Sequence, residues 1–406
     1  MAKTLTIGVV GAGPAGIMAA LRAARCGANV HLYDTNPMVG RKLLVTGNGR
    51  CNITNLRATP ASYTCDQRGQ LAPMFQRYGP AVLRDTLGGL GIPTYATPDG
   101  WCYPLSNSAA TVADALAAAL DLQGVQVHLQ TKISDVRRQG RRFRLLVGGP
   151  DQTIPVDRLI VATGGKAYPA LGSKGAFFSV LERLGHHVEP VLPALAPVNA
   201  DVRRLHKLQG VRLDVEASLY RGSQLLASTT GNLMFTQSGF SGPAAMDLSH
   251  WVSRHKGEPL QLCIDLLALH HGALDQHVQR MRRTRLPITV ALGSVLPIKL
   301  PPVLLDLVGL DQAITLAEAS DADLSHLWDV MRRLCVDVTG TRGFKFCQLS
   351  TGGVPLSEID GDSMQSRVVS GLYLAGEVLD VVGPCGGYNL QFAMASGVMA
   401  GDAAVG

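Results

Sequence analysis

Hydrophobic and polar positions change period several times along the 406 residues. Leu5–Val10 is a continuous, partly β-branched run closed by Gly11, the pattern of a buried strand. A helix is predicted over Ile17–Cys26 and a second strand over Asn29–Tyr33. Thr111–Leu122 is alanine-rich and follows Ser106 and Ser108, either of which can accept from the first helical N–H groups. Val125–Leu129, Ile133–Arg137 and Phe143–Val147 alternate like antiparallel strands, and Arg158–Ala162 is a further apolar strand. A helix over Ala176–Leu184 leads to Pro190, Pro193 and Pro197, a stiff extended segment that marks a domain boundary. Short strands follow at Val211–Leu219, Gln224–Ala227, Leu233–Thr236 and Leu260–Ile264. Residues 266–333 read as helices interrupted by Pro287, Pro297, Pro301 and Pro302. A strand at Leu372–Ala375 and a helix at Phe392–Ala400 close the chain. The predicted organisation is an α/β domain made of residues 1–194 and 341–406. An inserted domain, 195–340, interrupts it, β-rich over 195–265 and mainly helical over 266–340.

Composition narrows this picture. The chain is 46% hydrophobic and 17% charged with 45 glycines, which excludes disordered and fibrous classes. Its eight cysteines are scattered without metal spacing, so no metal is expected and a reducing, cytoplasmic setting is. No apolar run is long enough to span a membrane. The net charge is +6. Residues 195–300 hold twelve Lys/Arg against seven Asp/Glu, whereas residues 301–340 hold two against seven. Arg203, Arg204, Lys207, Arg212, Arg280, Arg282, Arg283 and Arg285 form the basic part, open both to a solvated face and to a polyanion. The arginines at 137, 138, 141, 142 and 144 read as a charged hairpin.

The chemistry begins at Gly11-Ala12-Gly13-Pro14-Ala15-Gly16, a GxGxxG turn between strand and helix. Its first glycine turns the chain, its second lets the backbone approach a pyrophosphate, and its third lets helix and strand pack closely. The helix N-terminus faces the phosphates with unpaired N–H groups. Asp34, about twenty residues on, is placed to bind ribose hydroxyls. Next comes Gly40–Asn55, GRKLLVTGNGRCNITN, too rich in glycine and asparagine for a helix. Its Lys42, Arg50 and Asn52 can satisfy the oxygens of an anionic ligand. Ala162-Thr163-Gly164-Gly165 closes another strand, and Gly376-Glu377-Val378-Leu379-Asp380 with Gly383–Gln391 leads into the last helix. The histidines at 186 and 187 are expected to cap a helix end.

GAGPAG, Asp34, GRK-x3-TGNGRCN-x-TN, YPLSNSA and the AGE-x-LD…GGYN-x-Q-x-A block together resemble the HI0933-like flavoprotein family over nearly the whole chain. The resemblance implies a Rossmann-like, glutathione-reductase-like FAD-binding domain carrying an insertion. It implies FAD contacts from Gly11, Gly13, Pro14, Ala15, Gly16, Asp34, Gly40, Lys42, Arg50, Cys51, Asn52, Ile133, Ala162, Thr163, Gly164, Gly376, Glu377, Asp380, Gly387, Asn389 and Leu390. Two departures stand out. Asn48 occupies a slot often held by glycine, and Gln237 replaces the histidine of an FTH-x-G-x-SGP segment. No second GxGxxG exists, so NAD(P)H as reductant would visit transiently.

Flavin carries the redox chemistry and the protein must supply orientation and an acid. Cys51, Cys385 and Tyr388 lie within the flavin motifs and are the candidate proton donors, and each cysteine also reads as a small buried residue. Three readings follow. In the first, reduced flavin delivers hydride to the C=C bond of uridine in ribosomal RNA, held by the basic part of the insertion. In the second, the substrate is a small molecule, a steroid-like enone or an amine. In the third, the flavin serves a non-catalytic binding or sensing protein.

Overall fold

The computed structural model describes residues 4–148 and 152–406. The chain divides into two compact units, Met1–Leu192 with Gln348–Gly406, and Pro193–Cys347.

In the first unit, β1 (Thr6–Val10), α1 (Pro14–Arg25) and β2 (Asn29–Tyr33) form the opening βαβ. They are followed by α2 (Ala109–Leu122), β3 (Gln126–His128), β4 (Arg158–Val161), β5 (Leu372–Leu374) and α3 (Tyr388–Val405). The strands make one parallel sheet in the order β5-β4-β1-β2-β3. Ile7, Val9, Leu159, Ile160, Val161, Leu372 and Leu374 are all buried, as strands covered on both faces must be. One of the two edge strands, β5, comes from the far end of the sequence.

Small residues set how closely α1 and α3 approach. A Cβ at Gly397 would lie 2.2 Å from the Ala15 carbonyl oxygen, and one at Gly401 2.4 Å from that of Ala19. Two glycines four apart therefore let one helix backbone rest on the other. α2 begins at Ser108, whose hydroxyl accepts from the Thr111 N–H at 3.5 Å. The arginine-rich segment is a hairpin between Ile133–Gln139 and Arg142–Val147, and Arg142 reaches Asp157 at 2.8 Å.

The second unit contains a closed six-stranded barrel built from Val198–Ala200, Gly239–Ser241, Gln224–Thr236, Arg212–Arg221, Leu260–Asp265 and Leu334–Thr341 in spatial order. The barrel thus extends beyond the β-rich 195–265 into the end of the mainly helical 266–340. The last strand, Leu334–Thr341, follows the helices and closes the barrel against both Leu260–Asp265 and Val198–Ala200. Its single alternating stretch had no neighbouring hairpin signal. The helices His271–Met281, Ile288–Gly293, Leu300–Val308 and Asp321–Arg332 are an excursion between the fifth and sixth strands. Asp321–Arg332 starts with a reciprocal cap between Ser320 and Asp323.

Where the excursion leaves and rejoins the barrel, Cys263 and Cys335 face each other in register and form a disulfide. This corrects the reading of all eight cysteines as scattered thiols. Their separation of 72 residues hid an antiparallel pairing that only the barrel reveals.

Among the described residues no helix is long and apolar enough to cross a membrane. No group of three or more His, Cys, Asp and Glu there is arranged to hold a metal ion.

Candidate cofactor and active site

The glycine turn shows three separate demands. Gly11 has φ +104°, and a Cβ there would lie 2.3 Å from the Ala162 carbonyl oxygen. A Cβ at Gly16 would lie 1.8 Å from the Gly11 carbonyl oxygen. Both glycines are required by the protein's own packing. At Gly13 a Cβ would meet nothing within 4 Å. Gly13 is the N-cap of α1 with φ −79°, no side chain caps that end, and Pro14 begins the helix. Open space thus lies in front of a helix N-terminus whose first N–H groups have no intrahelical acceptor. A pyrophosphate fits those features by charge and by hydrogen bonding. Ala15 and Gly16, in the first turn of α1, are buried.

Asp34 frames the neighbouring side. One carboxylate oxygen accepts from the Ala12 N–H at 2.7 Å, and the other from the Asn36 N–H at 2.7 Å and side-chain amide at 2.9 Å. A carboxylate held this way retains lone pairs for a ribose hydroxyl. The backbone returns to it from Gln130 and Thr131, whose N–H groups donate to the Asn36 and Asp34 carbonyls. Ile133, two residues on, is buried.

The Gly40–Asn55 segment folds back on itself instead of extending. Gly40 is left-handed at φ +65°, residues Arg41–Gly49 form tight 3-10 turns, and Gly47 and Asn48 are both left-handed. Asn48, at φ +54°, holds a conformation that glycine adopts freely and asparagine tolerates better than most residues. Arg50 lies over the Tyr103 ring, 4.5 Å from its centre. Asn52 is buried, and its amide nitrogen, once turned to face acceptors, donates to the Cys102 and Thr54 carbonyls at 3.2 Å each.

Lys42 and Glu377, 335 residues apart, are partners: Nζ donates to Oε2 at 2.6 Å, with both side chains mostly buried. The other Glu377 oxygen accepts from the Ser350 N–H at 2.9 Å and hydroxyl at 2.8 Å, and the Lys166 N–H donates to that hydroxyl. Ser350 carries no motif signal in the sequence and gains its place only through these contacts. Asp380 accepts from the Gly352 N–H at 2.6 Å and the Thr351 hydroxyl at 3.1 Å. Ala162 continues β4, its N–H donating to the Val10 carbonyl, and Thr163 and Gly164 beyond it are half-buried.

Before α3 the backbone is left-handed at Gly386 and Gly387. A Cβ at Gly387 would lie 2.4 Å from the Thr54 carbonyl oxygen, so this glycine brings α3 onto the Gly40–Asn55 segment. Asn389 clasps its own loop: its Oδ1 accepts from the Gly383 N–H and its Nδ2 donates to the Gly383 and Pro384 carbonyls. Leu390 packs against the core. A further tie, absent from the sequence reading, runs from the Thr54 hydroxyl to the wholly buried Gln391 at 2.6 Å, whose amide donates to the Tyr78 carbonyl.

The three candidate acids differ sharply. Cys51 has no exposed surface, and burial pushes its thiol up to about 11. That removes it from the proton donors, because no face of the side chain is open to a substrate. The sequence pattern, a cysteine beside Arg50 and Asn52, gave no sign of which way the thiol turns. Cys385 and Tyr388 are half-buried, Cys385 in the loop and Tyr388 as the first residue of α3. The Tyr63 hydroxyl donates to the Tyr388 carbonyl at 2.8 Å, and the two rings meet edge to face. Cys65, not singled out earlier, is half-buried, its thiol pushed up to about 11 by burial and then by the charges of Asp66 and Asp380.

His186 makes a different arrangement. Its Nδ1 is 2.5 Å from Glu358 and its Nε2 2.8 Å from the Ser366 hydroxyl. The order Ser–His–Glu imitates a hydrolase triad. However, Ser366 is buried and its oxygen accepts from the Val368 and Val369 N–H groups, so it has no room to attack a substrate. The His187 N–H also donates to Glu358, and the pair anchors the end of the preceding helix.

In the second unit the acidic stretch folds onto the basic one. Lys207 pairs with Asp306 at 3.1 Å, Arg282 with Asp321 at 2.9 Å, and Arg203 with Asp201. Arg204 donates to the Leu307 carbonyl, and Arg282 also to the Leu316 and Ala319 carbonyls. Arg280 and Arg283 are exposed. Three of the cations read from the sequence, Arg203, Lys207 and Arg282, therefore meet carboxylates in space. Gln237 stands exposed at a hairpin tip.

A family model described as the HI0933-like protein Rossmann domain matches residues 5–403. The chain is 32% identical over 405 residues to a Clostridium scindens protein named 3-dehydro-bile acid delta(4,6)-reductase, covering 98% of both chains. It is 30% identical over 393 residues to a Haemophilus influenzae protein named ribosomal RNA dihydrouridine synthase, covering 96% of this chain and 95% of the other. Among solved structures, 3-ketosteroid delta1-dehydrogenase from Sterolibacterium denitrificans superposes with a TM-score of 0.51 at 13% identity, over 99% of this chain and 100% of that one. At that identity the likeness is one of fold.

Proposed function

We propose, since this chain belongs to the HI0933-like family of FAD-dependent oxidoreductases, that it is a reductase of C=C bonds conjugated to a carbonyl group. One observation carries the reading. Two relatives that align nearly end to end are named for different substrates but for one kind of change, the saturation of such a bond. The flavin, once reduced, supplies the hydride for one end of the bond. The protein's own residues do the rest. The turn at Gly13 and the α1 N-terminus hold the pyrophosphate, Asp34 the ribose, and the Lys42–Glu377–Ser350 cluster ties the two chain segments of the cradle together. Tyr388 is the preferred proton donor for the other end of the bond, being half-buried at the start of α3. Cys385 is the alternative. NAD(P)H is the proposed transient reductant.

Uridine in ribosomal RNA is the leading substrate, which would place the reaction in the cytoplasm. A small enone is the second reading, favoured by the pairing of Arg203, Lys207 and Arg282 with carboxylates. FAD-loaded protein, reduced without oxygen, is mixed with unmodified ribosomal RNA or with a steroid enone. Reoxidation of the flavin is followed, and nucleoside mass spectrometry reads dihydrouridine. Reoxidation by RNA with dihydrouridine formed supports the first reading, and by enone alone the second; reoxidation by neither refutes the class. Tyr388→Phe should slow the step by about 10²- to 10⁴-fold without loss of FAD.

A further inference from the structure

Of the basic residues at 203–212 and 280–285, Arg203, Lys207 and Arg282 are paired with carboxylates, whereas residues 338–357 contain Arg342 and Lys345 and no Asp or Glu. In the structure these two flank Phe346. The Arg342 guanidinium carbon is 3.9 Å from the centre of the ring and the Lys345 ammonium 5.7 Å. Both cations are exposed, and Phe346 keeps 40% of its surface open. Among the described residues neither cation has a carboxylate partner.

The backbone holds this group in place. The Arg342 N–H donates to the Pro197 carbonyl at 3.0 Å, and Gly343, at φ +75°, opens a turn closed by the Phe346 N–H on the Gly343 carbonyl. Cys347 is buried directly after it. The three side chains therefore project from an anchored turn.

A guanidinium lying over an exposed phenyl ring makes a positively charged aromatic platform. An acidic peptide would use the charges and leave the ring idle; an apolar ligand would use the ring and leave the charges unpaired. A nucleotide uses both, through a base stacked on the platform and phosphates beside the cations. In duplex RNA the base faces are already stacked on one another, so only an unpaired segment can offer one.

We propose that Arg342, Lys345 and Phe346 are a docking platform for single-stranded RNA. This rests on the reading of uridine in RNA as the substrate and adds where the strand is gripped. It also moves the RNA contact away from Arg203, Lys207 and Arg282.

The test uses FAD-loaded full-length protein and a fluorescein-labelled twelve-nucleotide oligouridylate, with binding read as anisotropy over a range of salt concentrations. Phe346→Leu keeps the apolar bulk and removes the aromatic face, and should weaken binding about tenfold. Arg342→Ala with Lys345→Ala should reduce the slope of log affinity against log salt by about 1.4, for two phosphates on a single strand. Arg203→Ala with Lys207→Ala should stay within about twofold of wild type. If wild type binds and both sets of platform variants bind equally well, the platform is refuted and the RNA reading survives. If wild type does not bind at low salt, the RNA reading fails and takes the platform with it. Equal loss of affinity for a polyglutamate peptide would assign the patch to acidic protein segments and overturn the proposal.

Discussion

Alanine at Gly13 and alanine at Gly16, three residues apart in one turn, should damage different things. At Gly16 the new methyl would sit 1.8 Å from the Gly11 carbonyl oxygen, so backbone must move. Overpacking of that kind costs about 3 kcal/mol at the upper end of its usual range. The FAD-free protein should then melt roughly 6–12 °C lower, if its first unit behaves as a cooperative domain. At Gly13 the methyl meets no protein atom within 4 Å, and φ −79° with ψ −179° is open to alanine. Replacing glycine stiffens the unfolded chain by about 0.4–1 kcal/mol, and losing glycine at an N-cap costs a similar amount. The two offset, and the FAD-free melting temperature should hardly change. FAD affinity is another matter, because the methyl occupies the space in front of the helix end. A clash of about 1–3 kcal/mol corresponds to roughly 5- to 150-fold weaker binding. Differential scanning fluorimetry of FAD-stripped protein and flavin fluorescence titration measure the two quantities separately. Gly13→Ala with wild-type FAD affinity, or with a fall in melting temperature as large as that of Gly16→Ala, would refute the assignment of that space to the cofactor.

Three further outcomes follow from the site. Cys51→Ala should keep turnover within about twofold, since the thiol is sealed in the core; a loss of two orders of magnitude with FAD retained would restore it as the acid. Lys42→Met and Glu377→Gln should each lower FAD-free stability, and a double-mutant cycle should show coupling of about 1–2 kcal/mol; additive effects would mean the ion pair does not join the two chain segments. His250 in the second unit is buried and its pKa is lowered to about 4, first by burial and then by Arg254. Its folded pKa is below the unfolded value, so the unfolded state binds more protons in acid. Its contribution is complete above about pH 6.5, is lost as pH falls towards 4, and reaches at most roughly 3 kcal/mol. His250→Phe should flatten that stretch of the stability profile, and an unchanged profile would show that another group governs it.

The sequence announced the first unit more clearly than the second because its signals are local. A strand, GxGxxG and an acid lie within thirty-odd residues, and each glycine has a distinct steric reason. Long-range partners were not legible. Lys42 and Glu377 were each visible as polar residues in a motif, but nothing in either segment said that they meet. The same holds for Thr54 with Gln391 and for Cys263 with Cys335. Charge pairing was illegible for a related reason. A count along the chain separates Lys207 from Asp306, whereas the fold sets them 3.1 Å apart. Cys51 shows a final limit: a motif fixes a residue's place in the chain, while the left-handed backbone at φ +60° decides which way its thiol turns.

The order of strands carries a consequence for how the protein is made. β5 lies beside β4, and α3 rests on α1 through Gly397 and Gly401, yet these pieces are synthesised after the barrel. A ribosome would deliver the whole barrel and its helices, with their own apolar core, before the first unit has its outer strand. The nascent amino-terminal segment must therefore wait, with one face of α1 uncovered, until the carboxyl-terminal segment emerges. Flavin capture becomes a late event, and a chain cut short by even its last helix should leave synthesis colourless.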